Sequence, residues 1–423
     1  MKSYNGQFDR MLECENVKQC FYKAAKRKHK SRARGKRPGD PRKQPFESVG
    51  DVLANIENEV PIFIDLVKTD TIEIIKHEEH QINENNSKKP RNIIQPDYKY
   101  EQVLHHCIVS QLQPIIMHGL YEFAYGSIPK RGVHAGKKVL AKWIRKYDGK
   151  KFYVGQGDIT GFYDNIDLDI LESKLAKVCR DKRFLHINHR VISIHEKITI
   201  ENGVRRRRFI PKGFYTSGWY GHLMLKEFDH FVVQLPGVDH YMRYADDFVI
   251  TGKNKKKIHA AMQAIAEYLA GNLHLQIKHT WQVYRFEHPV KGAFDKNGKP
   301  KTKGRFIDFM GFQFHYNRTT MRKRNLCASS RKAHRIGKKT KVTWYDAAGM
   351  ISRMGLFKHT DTYNYYLNHI KPWVNIRKMK RTISNHSRKE NRKHDKLEAD
   401  HRITGRTPGG GGYGILPHNG VFA

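Results

Sequence analysis

The stretch Tyr241-Met-Arg-Tyr-Ala-Asp-Asp-Phe-Val-Ile250 decides how the rest of the chain is read, because it sets two adjacent carboxylates at the tip of a strand-like run. Like charges that close raise each other's pKa and repel, so a fold that keeps Asp246 and Asp247 together usually supplies divalent cations to neutralise them. A solvated turn is the other reading of the same ten residues, since Asp is a common turn residue. The flanking sequence has to decide between the two.

Upstream, Lys151-Phe-Tyr-Val-Gly-Gln-Gly-Asp158 reads as a strand ending on an acid, followed by Ile159-Thr-Gly-Phe-Tyr163 and a helix over Leu168–Cys179. This layout holds a carboxylate at a sheet edge with its neighbours facing a cleft. Residues 198–210 form two strand-like runs around Asn202-Gly203, a hairpin signal. Pro211-Lys-Gly-Phe-Tyr-Thr-Ser217 then leads into a long helix with Leu223, Leu225, Phe228 and Phe231. Gly213 and Ser217 offer a backbone against which a planar base pair can lie, or Thr216 or Ser217 simply caps the helix. Downstream come a helix over Lys257–Leu269, a strand over Leu273–Lys278 ending on a lysine, and a strand-like run Phe306–Phe314 centred on Gly311.

Nearer the start, the spacing predicts helical scaffold around Phe8–Ala25 and over Phe46–Ile82, with a break at Pro61. After the polar turn 83–90, Arg91–Pro96 reads as a short strand. Lys88, Lys89 and Arg91 flank Pro90, where either a strand pair presents them to a triphosphate or they form an ordinary basic loop. Helices over Val103–Leu120 and Val133–Tyr147 enclose Tyr125-Gly-Ser-Ile-Pro-Lys-Arg-Gly-Val-His134, a loop that joins glycine flexibility to cationic side chains and suits close approach to a nucleic-acid backbone. From Met321 the chain turns basic and helical, clearest over Tyr345–Phe357 and Tyr363–Trp373.

Composition points the same way. The 423 residues can bury a large core in two or three subdomains. They carry 79 Lys and Arg against 41 Asp and Glu, a formal net charge of +38. Such a field attracts polyanions, nucleic acid first among them. No apolar run is long enough to span a bilayer, so no membrane partner is expected. The 21 Tyr and 21 Phe suit base and sugar contacts as well as core. Cys14, Cys20, Cys107, Cys179 and Cys327 form no CxxC pair, which fits a reducing compartment. The first 20 residues lack the apolar stretch of a signal peptide, so a cytoplasmic location is expected.

In order along the chain stand an acid at a strand end (Asp158), a glycine and serine before a helix (Gly213, Ser217), an acidic hairpin, a lysine-ended strand (Lys278) and a glycine-centred hairpin (Met310-Gly311-Phe312). Over about residues 88–370 this order resembles a reverse transcriptase. Tyr244-Ala245-Asp246-Asp247 is similar to the family's Tyr-x-Asp-Asp hairpin, and Asp158–Tyr163 to its first metal-binding motif. The resemblance implies two Mg2+ ions, with Mn2+ as a substitute, held by Asp158, Asp246, Asp247 and the backbone at Ile159, for two-metal nucleotidyl transfer. It implies that Tyr163, beside Phe162, packs under the incoming sugar and selects dNTP over rNTP. Lys278 resembles the lysine that protonates the leaving pyrophosphate. Lys89, Arg91, Lys212, Gly213, Ser217, Tyr244 and Ala245 fall where the family binds nucleotide. Gly126, Arg131 and His134, with the primer-grip-like Met310, Gly311 and Phe312, fall where it meets primer and template.

Within the family, Phe123–Ala135 resembles the prokaryotic branch of group II intron, diversity-generating and defence-associated enzymes. Glu15-Asn-Val17 and Ala24-Ala-Lys26 are similar to diversity-generating and defence enzymes. Lys212 stands where many members carry Gln, Ser217-Gly218 where diversity-generating enzymes have Ser-Gln, and no maturase-like zinc cysteines follow. The implied fold is α+β, a right-hand polymerase with a basic extension (1–45), fingers (46–146), a palm with an antiparallel sheet packed on helices (147–315), a basic helical thumb (316–390) and a flexible Gly-rich tail (391–423). The implied function is RNA-directed DNA synthesis, making cDNA from an associated noncoding RNA in antiphage defence, in a bacterial or phage-encoded protein. Template-independent or protein-primed synthesis, a diversity-generating role, and RNA binding on a polymerase fold are the alternatives. The implied partners are the RNA template, a DNA product or primer and dNTPs, with room for an oligomer or an accessory protein.

Overall fold

The computed structural model describes residues 4–26, 28, 31–34, 47–82, 90–201, 203–294, 298 and 300–403. Lys88 and Lys89, most of the basic run 26–37, and the Gly-rich end lie outside the described residues. The chain divides into two compact units, each assembled from two stretches: Met1–Ser127 with Gly155–Val283, and Ile128–Val154 with Tyr284–Ala423. Among the described residues, no helix is long and apolar enough to cross a membrane.

The first unit opens with helices α1 (Gln7–Met11), α2 (Cys14–Ala25), α3 (Val49–Ala54) and α4 (Ile56–Lys68). A capping box starts α3: Asp51 N donates to Ser48 Oγ at 3.1 Å and Ser48 N to Asp51 Oδ2 at 2.8 Å. Pro61 lies inside α4 and does not break it, contrary to the sequence expectation. The buried Val60, Phe63, Ile64 and Val67 explain this, because packing of an apolar face outweighs one missing backbone bond. The helical pattern expected to reach Ile82 stops at Lys68, and β1 (Glu79–Ile82) pairs antiparallel with β2 (Arg91–Ile94). Helix α5 (Val103–Met117) and the short β3 (Ala124–Tyr125) complete this stretch.

The unit's second stretch supplies most of a five-stranded sheet in the order β3-β7-β8-β4-β9, formed with β4 (Tyr153–Asp158), β7 (His240–Tyr244), β8 (Asp247–Gly252) and β9 (Gln282–Arg285). Between β4 and β7 lie α7 (Phe162–Asn165), α8 (Leu168–Val178), α9 (Lys182–Ser193), the hairpin β5 (Lys197–Glu201) and β6 (Val204–Arg208), and α10 (Ser217–Val233). Asp167 caps α8 through the amides of Asp169 and Ile170. Helix α11 spans Lys255–Leu273, longer than expected, and removes the strand read at Leu273–Lys278. Leu269 and Leu273 are both buried and complete one helical face, and His274 at φ 52° ends it. Leu275–Lys278 is then extended chain, bridged to the end of β4 by the pair Ile159 and Ile277.

The second unit contains α6 (Val133–Lys146), whose end leads to a ring stack of Tyr147, Phe152 and Phe286 at 3.9 and 4.5 Å. The hairpin β10 (His288–Phe294) and β11 (Pro300–Lys303) precedes the small sheet β12 (Ile307–Phe309), β13 (Phe312–Phe314) and β14 (Thr319–Met321). Helices α12 (Lys323–Gly337), α13 (Trp344–Lys358), α14 (Tyr363–His369) and α15 (Ile376–Ile403) share a core of Met321, Ile336, Met350, Phe357 and Ile370. Helix α15 runs on through the start of the tail expected to be flexible, which its Lys, Arg and Glu content favours. The architecture is α+β.

Candidate active site

The acidic turn is built by the β7–β8 hairpin, in which Tyr244 pairs with Asp247 and leaves Ala245-Asp246 as a two-residue loop. Ala245 sits at φ 53°, an uncommon conformation for a residue with a Cβ. Three hydrogen bonds hold it there. Ala245 N donates to Tyr125 O at 3.0 Å, Ile159 N donates to Asp246 O at 3.2 Å, and Arg243 Nη1 donates to Ala245 O at 2.8 Å. Arg243 is itself buried against Asp229. Gly126, at φ 91°, lies beside this turn, and its carbonyl accepts from His222 Nε2 at 2.7 Å.

Asp158, at the end of β4, faces the turn. Burial, followed by the neighbouring Asp158 carboxyl, pushes the Asp247 carboxyl up to about 8. Asp246 is also raised, by burial first and then by the charge of Asp158, while Lys278 and Arg91 pull it down. Lys278 N donates to Asp158 O at 2.8 Å, and Lys278 Nζ lies 2.5 Å from Asp158 Oδ1. That contact is one of charge without hydrogen-bond geometry, so Asp158 Oδ1 is a buried oxygen with no hydrogen-bond partner. Among the described residues no three His, Cys, Asp or Glu side chains converge as a closed metal cluster. What the turn offers is one close carboxylate pair with a third acid within electrostatic reach. Hard oxygen donors from Asp158, Asp246 and Asp247 fit a hard divalent cation.

Around this centre, Tyr163 packs over α10, its ring atoms 3.5 Å from where a Cβ on Gly221 would stand. Burial and then the charge of Asp246 push its phenol up to about 12. Phe162 is buried beneath it, ring centroids 5.1 Å apart, and so supports Tyr163. Gly213, at φ 121°, lets the chain pass so close to β2 that a Cβ would stand 2.3 Å from Ile94 O. Lys212 returns the contact, its carbonyl accepting from Ile94 N at 2.9 Å, and its ammonium pairs with Asp164 at 2.7 Å. Ser217 Oγ donates to Pro211 O at 2.6 Å and Thr216 pairs with His105, so neither hydroxyl caps α10 as the sequence suggested. Tyr244 is partly buried beside Gly126.

The primer-grip-like residues belong to the second unit. Phe309 pairs with Phe312, so Met310-Gly311 is a two-residue turn with both residues at positive φ, 52° and 84°. His134 lies in the first turn of α6, its ring 6.0 Å from Phe312 and 4.4 Å from His359. Arg131 N donates to Ile128 O just before α6. Sequence reasoning missed Asp164, Asp229 and a cavity of about 590 Å3 in the first unit lined by Lys23, Lys28, Gln95, His106 and Tyr215. Tyr215 is half exposed and stacked on His106 at 4.1 Å. The available signal was the lysines at the end of α2, which the sequence reading placed only in the basic extension 1–45.

Residues 77–344, well over half of the chain, match the family model described as reverse transcriptase (RNA-dependent DNA polymerase). No curated protein matches the chain. Solved structures that match include apo telomerase from Candida tropicalis truncated from its C-terminal domain, at 10% identity and TM-score 0.41, covering 68% of this chain and 63% of that one. Telomerase from Candida albicans in complex with the TWJ fragment of telomeric RNA matches at 11% identity and TM-score 0.43, covering 77% and 60%. The chain thus spans about six tenths of the length of these two telomerase chains.

Proposed function

Because this chain belongs to the reverse transcriptase family, the RNA-dependent DNA polymerases, we propose that it makes cDNA on an associated noncoding RNA. The observation that carries the reading is Asp158 at the end of β4 set against the Asp246-Asp247 turn, so close that burial and the Asp158 carboxyl together push Asp247 up to about 8. Asp158, Asp246, Asp247 and the backbone at Ile159 would hold Mg2+. When bound, the metal lowers the pKa of the attacking hydroxyl and neutralises charge on the leaving group.

The chain's own residues do the rest. The contact between Lys278 and Asp158 holds the lysine beside the acids, where it can give a proton to the departing pyrophosphate. Tyr163 closes the space under the sugar, with Phe162 behind it, and an aromatic wall there obstructs a 2′-hydroxyl. Arg91, whose charge acts on Asp246, and Lys212 meet the triphosphate together with Lys89. The backbone at Gly213 and Ser217 carries the nascent base pair. The cavity at Lys23, His106 and Tyr215 suits a template nucleotide, since it joins a stacking ring to cations. Gly126, Arg131, His134 and the Met310–Phe312 turn meet primer and template. In this reading residues 46–146 act as fingers, 147–315 as palm and 316–390 as thumb. The likeness of residues 123–135 to the prokaryotic branch, and of the α2 segment to diversity-generating and defence enzymes within it, supports a cytoplasmic role in antiphage defence.

Primer extension on an RNA template tests this. Asp246→Ala is expected to abolish dNTP incorporation while RNA binding stays nearly intact, and full activity in that variant overturns the mechanism. Sequencing the product and the RNA that copurifies separates the alternatives: a copy of a bound RNA supports the reading, and a random or homopolymeric product refutes it in favour of template-independent synthesis.

A further inference from the structure

The hairpin β5–β6 stands outside the five-stranded sheet, as a two-stranded sheet of its own. Its base is fixed to the first unit. Phe209 N donates to Ile166 O at 3.2 Å, and Arg207 reaches from β6 to Asp169 and Glu172 of α8 at 2.9 and 3.2 Å. Its far half is open to water: Ile200 is 77% exposed, Val204 51% and Ile198 44%, all three β-branched and apolar. Proteins guard open strand edges with charge. The run Arg205–Arg208 does so for β6, whereas β5, Lys197-Ile-Thr-Ile-Glu201, carries charge only at its two ends.

Glu201 pairs with Val204, and Lys197 with Arg208. Residues that close a two-residue hairpin loop exchange both backbone bonds, so alternation turns the N–H and C=O of Lys197, Thr199 and Glu201 toward β6 and those of Ile198 and Ile200 outward. Among the described residues no strand or bridge takes up that outer edge. The sequence of β5 is also its own complement. Laid antiparallel on a second β5, about a two-fold axis at Thr199, Lys197 faces Glu201, Ile198 faces Ile200, and Thr199 faces itself. The outward groups of Ile198 and Ile200 then satisfy one another. Lys197 and Glu201 stay about half exposed in their bonds to Glu79 and Arg208, so each can take an opposite charge from the other copy. Parallel pairing would instead set lysine beside lysine and glutamate beside glutamate, which is repulsive.

We propose that the β5 edge is a dimer contact, on which a second copy of this chain adds its own β5 antiparallel to give a sheet in the order β6-β5-β5-β6. The contact is isologous, so it closes at a dimer. Strands of five residues bury less than a standard interface, and the dimer is accordingly weak, with a micromolar Kd. The net charge of +38 opposes association. Salt therefore favours the dimer, since at 0.5 M it cuts the reach of the net field to about 4 Å and leaves contacts between adjacent strands in place.

The test is sedimentation velocity on the full chain, treated with nuclease, from about 1 to 100 μM in about 0.5 M salt. Wild type is expected to pass from monomer to dimer over that range. Lys197→Glu and Glu201→Lys each set two like-charge pairs across the two-fold axis and should weaken dimerisation at least about 10-fold. An equimolar mixture of the two variants restores both lysine–glutamate pairs and should dimerise as wild type does. Ile200→Pro removes an outward N–H and no bond to β6, so it should remain monomeric with a melting temperature close to wild type. A wild type that is monomeric throughout overturns the proposal and leaves the edge to a different partner. Wild-type dimerisation in both charge variants overturns it too, by placing the contact on another surface. So does a mixture that stays monomeric, which marks the loss in the single variants as structural. If Ile200→Pro melts lower, the charge variants and their mixture decide alone.

Discussion

Replacing Arg243 with methionine isolates the ion pair that lies beneath the acidic turn. Arg243 Nε and Nη2 donate to the two oxygens of Asp229 at 2.6 and 2.5 Å, and Tyr241 donates its hydroxyl to the same carboxylate at 2.6 Å. Both members of the pair are fully buried, at 1% and 0% exposure. Arg243→Met therefore leaves a carboxylate in the interior with a single hydroxyl as partner. Breaking one side of a buried pair costs about 3–5 kcal/mol, whereas replacing both sides with apolar groups is often neutral. At about 2–4 °C per kcal/mol for a unit of this size, the single variant should melt roughly 6–20 °C lower. The double variant Arg243→Met/Asp229→Leu should recover most of that loss.

The double variant also separates stability from turn geometry. It has no donor for the Ala245 carbonyl, which the wild type holds at φ 53° with a charge-assisted hydrogen bond of 2.8 Å. A bond of that kind contributes about 1.5–3 kcal/mol, so a folded double variant should extend primers roughly 10- to 100-fold more slowly. Differential scanning fluorimetry and single-nucleotide extension read the two effects. An unchanged melting temperature in Arg243→Met refutes the burial argument, and wild-type extension by the double variant refutes the pinning of the turn.

Four further outcomes follow from the geometry. Gly213→Ala meets both the positive φ and the Ile94 carbonyl, so it should destabilise the first unit by at least about 2 kcal/mol in a thermal melt. His105 is fully buried against Phe214, and burial holds its imidazole down to about 3, with the charges of His106, His195 and His77 adding to the shift. The unfolded chain binds a proton near pH 6.5 that the folded chain refuses, so His105 takes about 2 kcal/mol from stability between pH 6.5 and 5, and His105→Gln should make melts taken between pH 7 and 5 that much less pH-dependent, His106 and the buried His195 keeping their own share. Met310→Gly relieves a non-glycine residue at φ 52° and should raise the melting temperature of the second unit, by about 1 kcal/mol in stability, with altered primer affinity as the check on function. Asp247→Asn removes a carboxyl that its surroundings disfavour in the charged form, so it should melt higher than wild type while losing primer extension.

Local chemistry was legible in the sequence wherever a residue is constrained by its immediate neighbours. The Tyr244–Asp247 register follows from strand alternation, and the Met310-Gly311 turn from a glycine between paired Phe residues. The helix and strand at Leu273–Lys278 were not separable that way. Leu273, Leu275 and Ile277 alternate as a strand would, while Leu269 and Leu273 share the spacing of a helix, and only the packing against the sheet decides. The Asp229–Arg243 and Lys212–Asp164 pairs were invisible for a different reason. Their members lie 14 and 48 residues apart in sequence, and nothing local to a buried Asp in an apolar helix names its partner.

These distant pairs explain how the acidic turn can exist at all. Arg243 supports the turn through a carbonyl, not through a carboxylate, and its own charge is cancelled by Asp229. It therefore fixes the backbone without satisfying Asp246 or Asp247. Among the described residues, Lys278 and Arg91 lower Asp246 and Lys278 lowers Asp247, yet Asp247 is still pushed up to about 8. Rigid backbone beneath and unneutralised charge above is the combination a cation-binding turn requires. The first comes from a buried pair that contributes no net charge, and the second from carboxylates buried close to one another.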